Sequence, residues 1–245
     1  MEERSDPLHG DVLAGVEFAD NPEPRCAVAL VLDTSGSMHG RAIAELNAGL
    51  QSLAAALKAD TLASLRVEIG VLTFGGSVRV LDPAGGVEAP ADPADAFVTV
   101  DRFVAPALSA DGETPMGEAV GRALALIRAR KERYRTNGID YFRPWLLLVT
   151  DGRPTDRGWE AAADEARAEE GRRGVSLYAV GVEGADMRTL ARFCGEDRPP
   201  LKLAGLAFNE LFTWLSKSLS AVSQSRPGDQ TPLPPVGWAV ADTSH

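Results

Sequence analysis

The spacing of apolar residues along this 245-residue chain separates its strands from its helices. Residues 26–32, Cys-Ala-Val-Ala-Leu-Val-Leu, form a continuous apolar run with polar residues on either side. Such a run fits a parallel strand buried on both faces. After a turn region marked by Gly36 and Gly40, Ile43, Leu46, Leu50, Leu53 and Leu57 recur at three- and four-residue steps. That spacing puts all five on one face of an amphipathic helix. Residues 65–74 read as a second strand, Gly75-Gly76 as a turn, and 78–81 as a short strand paired back antiparallel at the sheet edge. Residues 83–113, rich in Pro, Ala and Asp, show no periodic element. From Met116, the positions Val120, Ala123, Leu124 and Ile127 trace a second helix, and 145–150 is another buried strand ending at Asp151-Gly152. A helix over 157–172, a strand over 175–182, a short helix over 186–193 and a short strand over 201–203 follow. Phe208, Leu211, Phe212, Leu215, Leu219 and Val222 mark the apolar face of a closing helix.

This succession predicts a doubly wound α/β fold, with a mainly parallel sheet, one antiparallel edge strand and helices on both faces. The domain is expected over 26–222. Residues 1–25, broken by Gly10, Pro22 and Pro24, read as an N-terminal arm. Residues 223–245, with Pro227, Pro232, Pro234 and Pro235, read as a flexible tail. Within that tail, Val236-Gly237-Trp238-Ala239-Val240 suggests an exposed docking motif, and Asp229 or Asp242 an internal ligand for the site described below.

Charge and cysteine usage narrow the partners. The formal charge of −10 repels nucleic acid and anionic membrane, so neither is expected as a partner. The cysteines, Cys26 and Cys194, fit no metal-ligand spacing and read as reduced, buried thiols. The first residues carry neither a basic region nor an apolar core, and no apolar run reaches the 18 or so residues of a membrane span. A cytoplasmic monomer is the expectation.

Three segments carry the chemistry, each at a junction of strand or helix with loop. They are Asp33-Thr34-Ser35-Gly36-Ser37, Gly112-Glu113-Thr114-Pro115-Met116-Gly117 and Thr150-Asp151-Gly152. In an open α/β sheet, ligands bind at the carboxyl ends of the strands. Two carboxylates and three hydroxyls meeting there make an all-oxygen site, which suits a hard divalent cation such as Mg2+. Ser35 and Ser37, two residues apart on a turn, can both reach one ion while Asp33 supplies charge through a bridging water. His39 follows the first segment and reads as an exposed loop residue, because the other donors are hard oxygens. Thr155 and Asp156 are expected to cap the helix that follows them.

These residues match the metal-ion-dependent adhesion site, Asp-x-Ser-x-Ser with a distant Thr and Asp. Over about 26–222 the chain resembles the von Willebrand factor A domains, whose fold is Rossmann-like. The resemblance implies that Ser35, Ser37 and Thr114 are hydroxyl ligands, with Asp33 and Asp151 close by. It implies Mg2+ (or Mn2+) one ligand short until a partner protein supplies an Asp or Glu. Asp33-Thr34-Ser35-Gly36-Ser37-Met38 with Gly40, Ala48-Gly49-Leu50, Thr73-Phe74, Thr114-Pro115-Met116-Gly117 and Thr150 through Asp156 resemble the bacterial tellurium-resistance TerY-like branch. That branch implies cytoplasmic stress or defence signalling alongside a protein kinase and a PP2C-type phosphatase. Some of its members add a cysteine-rich zinc module, which two cysteines cannot supply.

Catalytic readings meet specific obstacles. A serine-hydrolase elbow needs Gly-x-Ser-x-Gly, and Ser35 follows Asp33-Thr34; the histidines are His9, His39 and His245. No phosphate-binding glycine loop follows the first strand. An Mg2+-dependent phosphohydrolase using Asp33 as nucleophile is the alternative to a binding module, although the residue two positions on is Ser35 rather than a second acid.

Overall fold

The computed structural model describes residues 18–86 and 89–240. Its sheet is built on β1 (Cys26–Asp33), whose eight residues are all buried. Side chains alternate across a strand, so Val28, Leu30 and Leu32 face one helical layer while Ala27, Ala29 and Val31 face the other. On the first face lie α1 (Arg41–Ala59) and α6 (Phe208–Ser223), which pack against each other. Gly49 allows their close approach, because a Cβ there would meet Phe212 Cδ2 at 2.4 Å. On the second face lie α3 (Met116–Thr136) and α4 (Trp159–Gly171). The α1 stripe sits as its spacing requires, with Leu46, Leu50, Leu53 and Leu57 buried.

Strand order is β3-β2-β1-β5-β6-β7-β8. Here β2 is Val67–Gly75, β3 Ser77–Leu81, β5 Trp145–Thr150, β6 Ser176–Gly181, β7 Leu201–Leu203 and β8 Ala239–Val240. The pairs β1–β2, β1–β5, β5–β6 and β6–β7 are parallel, and β2–β3 is the antiparallel edge hairpin. The fold is thus the mainly parallel α/β sheet with flanking helices that the sequence predicts. Two additional two-residue strands pair antiparallel: β4 (Val98–Thr99) on β2, and β8 on β7.

Three local features depart from the sequence reading. Leu65 and Arg66 belong to a helix, α2 (Thr61–Arg66), rather than to the strand expected over 65–74. Asp60 starts that helix by accepting from the N–H groups of Leu62 and Ala63, both at 3.0 Å. In the lead-in, Phe18 and Arg25 are buried, whereas residues 1–17 lie outside the described residues. Arg25 and Arg130 both pair with the buried Glu68, at 3.0 Å and 2.7 Å, and Tyr134 donates to the same carboxylate. The Phe18 ring lies 5.4 Å from each guanidinium carbon, which ties residue 18 to the amino-terminal end of β1.

The third departure is the tail. Trp238, expected on an exposed motif, is 3% exposed and packs 5.7 Å from Trp214 in an edge-on arrangement. Trp214 Nε1 donates to the Pro234 carbonyl (2.9 Å), and the Ala204 N–H to the Trp238 carbonyl (3.0 Å). Asp229 accepts from the Arg226 N–H (3.0 Å) in its own turn, while Asp242 lies outside the described residues. A large aromatic surface seeking burial offsets the ordering cost of this segment, and its prolines lower that cost by restricting the unfolded chain. Both cysteines are free and buried, and burial pushes each thiol up to about 12.

Two substitutions test this packing by urea unfolding. Trp238→Ala is expected to destabilise by about 3–5 kcal/mol. Trp238→Phe is expected to cost much less, because the buried Nε1 has no hydrogen-bond partner to lose. A negligible effect of Trp238→Ala would show that the tail does not hold to the domain in solution.

Candidate metal centre

Asp33 closes β1 with no exposed surface. Its Oδ1 accepts from the Ser35 N–H (2.8 Å), which bends the chain into a short 3-10 turn, Gly36–Met38. Its Oδ2 accepts from the Thr150 hydroxyl at the end of β5, and that hydroxyl in turn accepts from the Gly152 N–H (3.1 Å). Neighbouring parallel strands β1 and β5 therefore deliver Asp33 and Asp151 to one place. The Ser35 and Ser37 hydroxyls are 3.1 Å apart, and Ser37 Oγ donates to Asp151 Oδ1 (2.7 Å). Asp33 and Ser35 form the buried floor, whereas Ser37 is exposed and Asp151 half-buried at the rim.

Thr114 joins from the loop before α3. A Cβ added at Gly152 would lie 3.3 Å from Thr114 Oγ1 and 3.7 Å from Asp33 Oδ2, so both oxygens face that glycine. The structure thus brings together all five residues singled out from the sequence: Asp33, Ser35, Ser37, Thr114 and Asp151. His39 is exposed, as expected, while His9 and His245 lie outside the described residues.

The loops are locked by their backbones. The Asp111 N–H donates to the Thr34 carbonyl (2.8 Å), Gly36 to Gly112 (2.9 Å) and Gly76 to Glu113 (2.8 Å). Gly112 has φ of +76°, and a Cβ there would meet Gly76 Cα at 2.5 Å, so only glycine serves. Thr155 Oγ1 accepts from the Thr114 N–H (3.0 Å), and the Thr155 N–H donates to the Thr114 carbonyl (3.0 Å). Asp156 accepts from the N–H groups of Gly117 and Glu118 (3.2 and 2.9 Å), so it caps α3 across the site. The helix that follows Asp156 instead starts at Gly158, in the left-handed region. The cap expected locally is therefore made at long range, because the loop after β5 crosses the first turn of α3. The part played by Thr150 is not evident from the sequence, where its place beside Asp151 is the only signal.

Electrostatically, the centre asks for a cation. Burial pushes the Asp33 carboxyl above its ordinary range, against the hydrogen bonds from Ser35 and Thr150, and the Asp151 charge pushes it further. Burial also raises Asp151. Neither carboxylate has a Lys or Arg ion pair among the described residues. Adjacent carboxylates held only by neutral donors are costly unless a positive charge is shared between them. The donors are all oxygen, which fits a hard divalent cation. Among the described residues there is no alternative centre of three or more His, Cys, Asp or Glu side chains.

The von Willebrand factor type A domain model matches residues 27–209, and the chain belongs to that family. It is 32% identical to mouse matrilin-4 over 133 residues, which is 54% of this chain and 19% of the matrilin. It is 49% identical to human matrilin-4 over 55 residues, 22% of this chain and 8% of that protein. The matched stretches thus span about a fifth or less of these relatives. Among solved structures, the pilus adhesin SpaC of Lactobacillus rhamnosus GG, in its open conformation, superposes with a TM-score of 0.60 at 14% identity, covering 82% of this chain and 31% of the adhesin. A von Willebrand factor type A protein from Catenulispora acidiphila gives 0.53 at 19% identity, covering 81% and 43%. At those identities the likeness is one of fold.

The raised carboxyls set a pH dependence. In metal-free protein a raised folded-state pKa means that the folded form holds the proton more tightly than the unfolded form. Its contribution to stability is therefore complete below the unfolded pKa and is lost as pH rises through the folded value. Bound cation reverses the demand by favouring the carboxylates. Mg2+ is expected to raise the thermal midpoint at neutral pH, less as pH falls into the raised carboxyl range, and not at all in Asp33→Asn. A pH-independent Mg2+ shift, or one retained by Asp33→Asn, would overturn this reading.

Proposed function

We propose that the chain is a protein-interaction module that binds a partner's Asp or Glu side chain through a Mg2+-occupied adhesion site, with Mn2+ as the alternative ion. The observation that carries this reading is the buried Asp33 beside Asp151, neither with a cationic partner among the described residues, under a rim where the Ser37 hydroxyl is open to solvent. Bound there, the divalent cation would supply a Lewis-acidic position for the incoming carboxylate. Ser35, Ser37 and Thr114 would be its hydroxyl ligands, and Asp33 and Asp151 would supply negative charge. Thr150 orients Asp33, and Thr155 and Asp156 hold the Thr114 loop against the loop after β5. One metal–carboxylate contact selects little, so the surrounding loops provide specificity.

The site's own residues also support a binding role over catalysis. Ser35 Oγ meets another hydroxyl rather than a base, and the position that would carry a second acid for phosphoryl transfer from Asp33 is Ser35. The extended motif around residues 33–38 and 150–156 supports a TerY-like, cytoplasmic role in bacterial stress or defence signalling. A protein kinase or a PP2C-type phosphatase is then the partner. The chain acts as a monomer in this reading, without nucleic acid or membrane as ligand. No described helix is long and apolar enough to cross a membrane.

Pull-down from native extract with wild-type and Ser35→Ala bait, each in Mg2+ and in EDTA, tests the proposal. The expected outcome is a partner held by wild type in Mg2+ alone, with at least about tenfold less recovered otherwise, since one charge-assisted contact of this kind is worth roughly 1.5–3 kcal/mol. Equal recovery in all four samples would refute metal-dependent binding. Turnover of a generic phosphoester, abolished by Asp33→Asn, would favour the phosphohydrolase reading instead.

A further inference from the structure

We propose that a basic cavity at the opposite end of the sheet binds a phosphate monoester. This cavity, of about 350 Å³, lies between α3, the end of α4 and the turn entering β5. Lys131, Arg135, Arg143, Arg172 and Arg173 line it, with Glu169 as the lone carboxylate and Tyr141 as the aromatic wall. Five cations around one acid stand out in a chain whose formal charge is −10.

Its cations differ in how they are neutralised. Arg172 pairs with Glu169 at 2.5 Å, and Arg135 with Glu132 at 3.3 Å. Lys131, by contrast, donates to the Gly174 carbonyl (3.2 Å), and Arg143 to the carbonyls of Val175 and Glu170 (both 2.7 Å). Arg173 makes no side-chain hydrogen bond or ion pair among the described residues. It is also the single non-glycine residue with positive φ among them, at +58°. Three positive side chains without a carboxylate ion pair therefore converge on one hollow. Mutual repulsion is felt there. Burial lowers the Lys131 ammonium, and Arg135, Arg172 and Arg128 lower it further, against the pull of Glu169. Burial lowers Arg143 likewise, with Arg198 and Arg173 adding to it against the pull of Glu170 and Tyr178.

The ligand chemistry follows from this count. A phosphate monoester carries about −1.5 to −2 charge near neutrality and three strong acceptor oxygens. That matches two guanidinium groups and one ammonium whose hydrogen-bonding capacity is only partly used. Arg135 lies 5.8 Å over the Tyr141 ring, which steadies its guanidinium at the edge of the hollow. The volume suits one phosphorylated side chain or a small sugar phosphate, at the lower end of small-molecule sites (~300–1,000 Å3). Lys131 and Arg143 are held in place by backbone carbonyls, so the donors are positioned before a ligand arrives. Since β5 begins at this cavity and ends at the metal centre, the two sites are separate, and neither reading depends on the other.

Calorimetric titration of the full chain at fixed ionic strength, in EDTA, tests this with three probes. These are inorganic phosphate, a phosphoserine peptide and the same peptide unphosphorylated. Saturable one-to-one binding of a phosphate-bearing probe is expected, weakened by at least about tenfold in Lys131→Gln/Arg173→Gly, because charge-assisted donors are the strong ones. Tighter binding of the phosphopeptide than of phosphate assigns the site to a phosphorylated partner side chain, and equal binding assigns it to a free ester. Arg173→Gly alone relaxes the positive φ while removing the charge, so it remains a test if the double variant misfolds. An unchanged Mg2+ thermal shift in the variant shows that the metal centre is intact. No saturable binding, equal binding of the unphosphorylated peptide, or affinity indifferent to Arg173→Gly would overturn the proposal.

Discussion

A carboxylate with no exposed surface, at the end of a strand buried on both faces, must be neutralised by something. Among the described residues no lysine or arginine is placed to do so for Asp33. Its two oxygens are instead committed to the Ser35 N–H and the Thr150 hydroxyl, neutral donors that orient the group without cancelling its charge. The local architecture depends on that arrangement. The Ser35 N–H bond sets the turn that carries Ser37 to the rim, and the Thr150 bond fixes the start of the loop that carries Asp151. Placing a cation there joins β1, β5 and the loop before α3 through one charge.

Rigidity comes from the backbone rather than from side-chain packing. Carbonyl and amide pairs between 34 and 111, 36 and 112, and 76 and 113 lay the loops against one another like short strands. Such contact leaves no room for a side chain at Gly75 or Gly112, while Gly76 beside them takes a φ of +68°. A Cβ at Gly75 would approach the Thr34 carbonyl to 2.2 Å. Asp156 extends the same logic to α3, holding its first turn to the loop after β5.

How much of this was legible depended on the range of each interaction. Continuous apolar runs at 26–32 and 145–150 and the three- and four-residue spacing of α1 carried the sheet and its layers, because burial on two faces or one leaves a direct trace in composition. Four of the five candidate metal-site residues were legible because Asp33, Ser35 and Ser37 share one turn and Asp151 follows a neighbouring strand, whereas Thr114 rested on the resemblance to the adhesion-site motif. What escaped was set at long range. Asp156 looks like a local cap and serves a helix that starts 40 positions earlier. Trp238 sits in a proline-rich stretch that reads as loose, yet Trp214, about 25 residues before it, offers the surface that orders it. The α2 helix was missed for a local reason, because Leu65 continues the apolar trend of the strand while Asp60 alone signals the cap.

The tail strand has a further consequence for the sheet as an object in solution. β7 is three residues long and would otherwise end the sheet with unpaired amides and carbonyls. By lying antiparallel along it, with Leu203 opposite Ala239, β8 covers that border. At the far border, β3 carries the exposed Arg79 at its centre and is entered through a glycine turn. One margin thus ends in a strand only two residues long and the other carries a charge, and both discourage sheets from different molecules from pairing edge to edge.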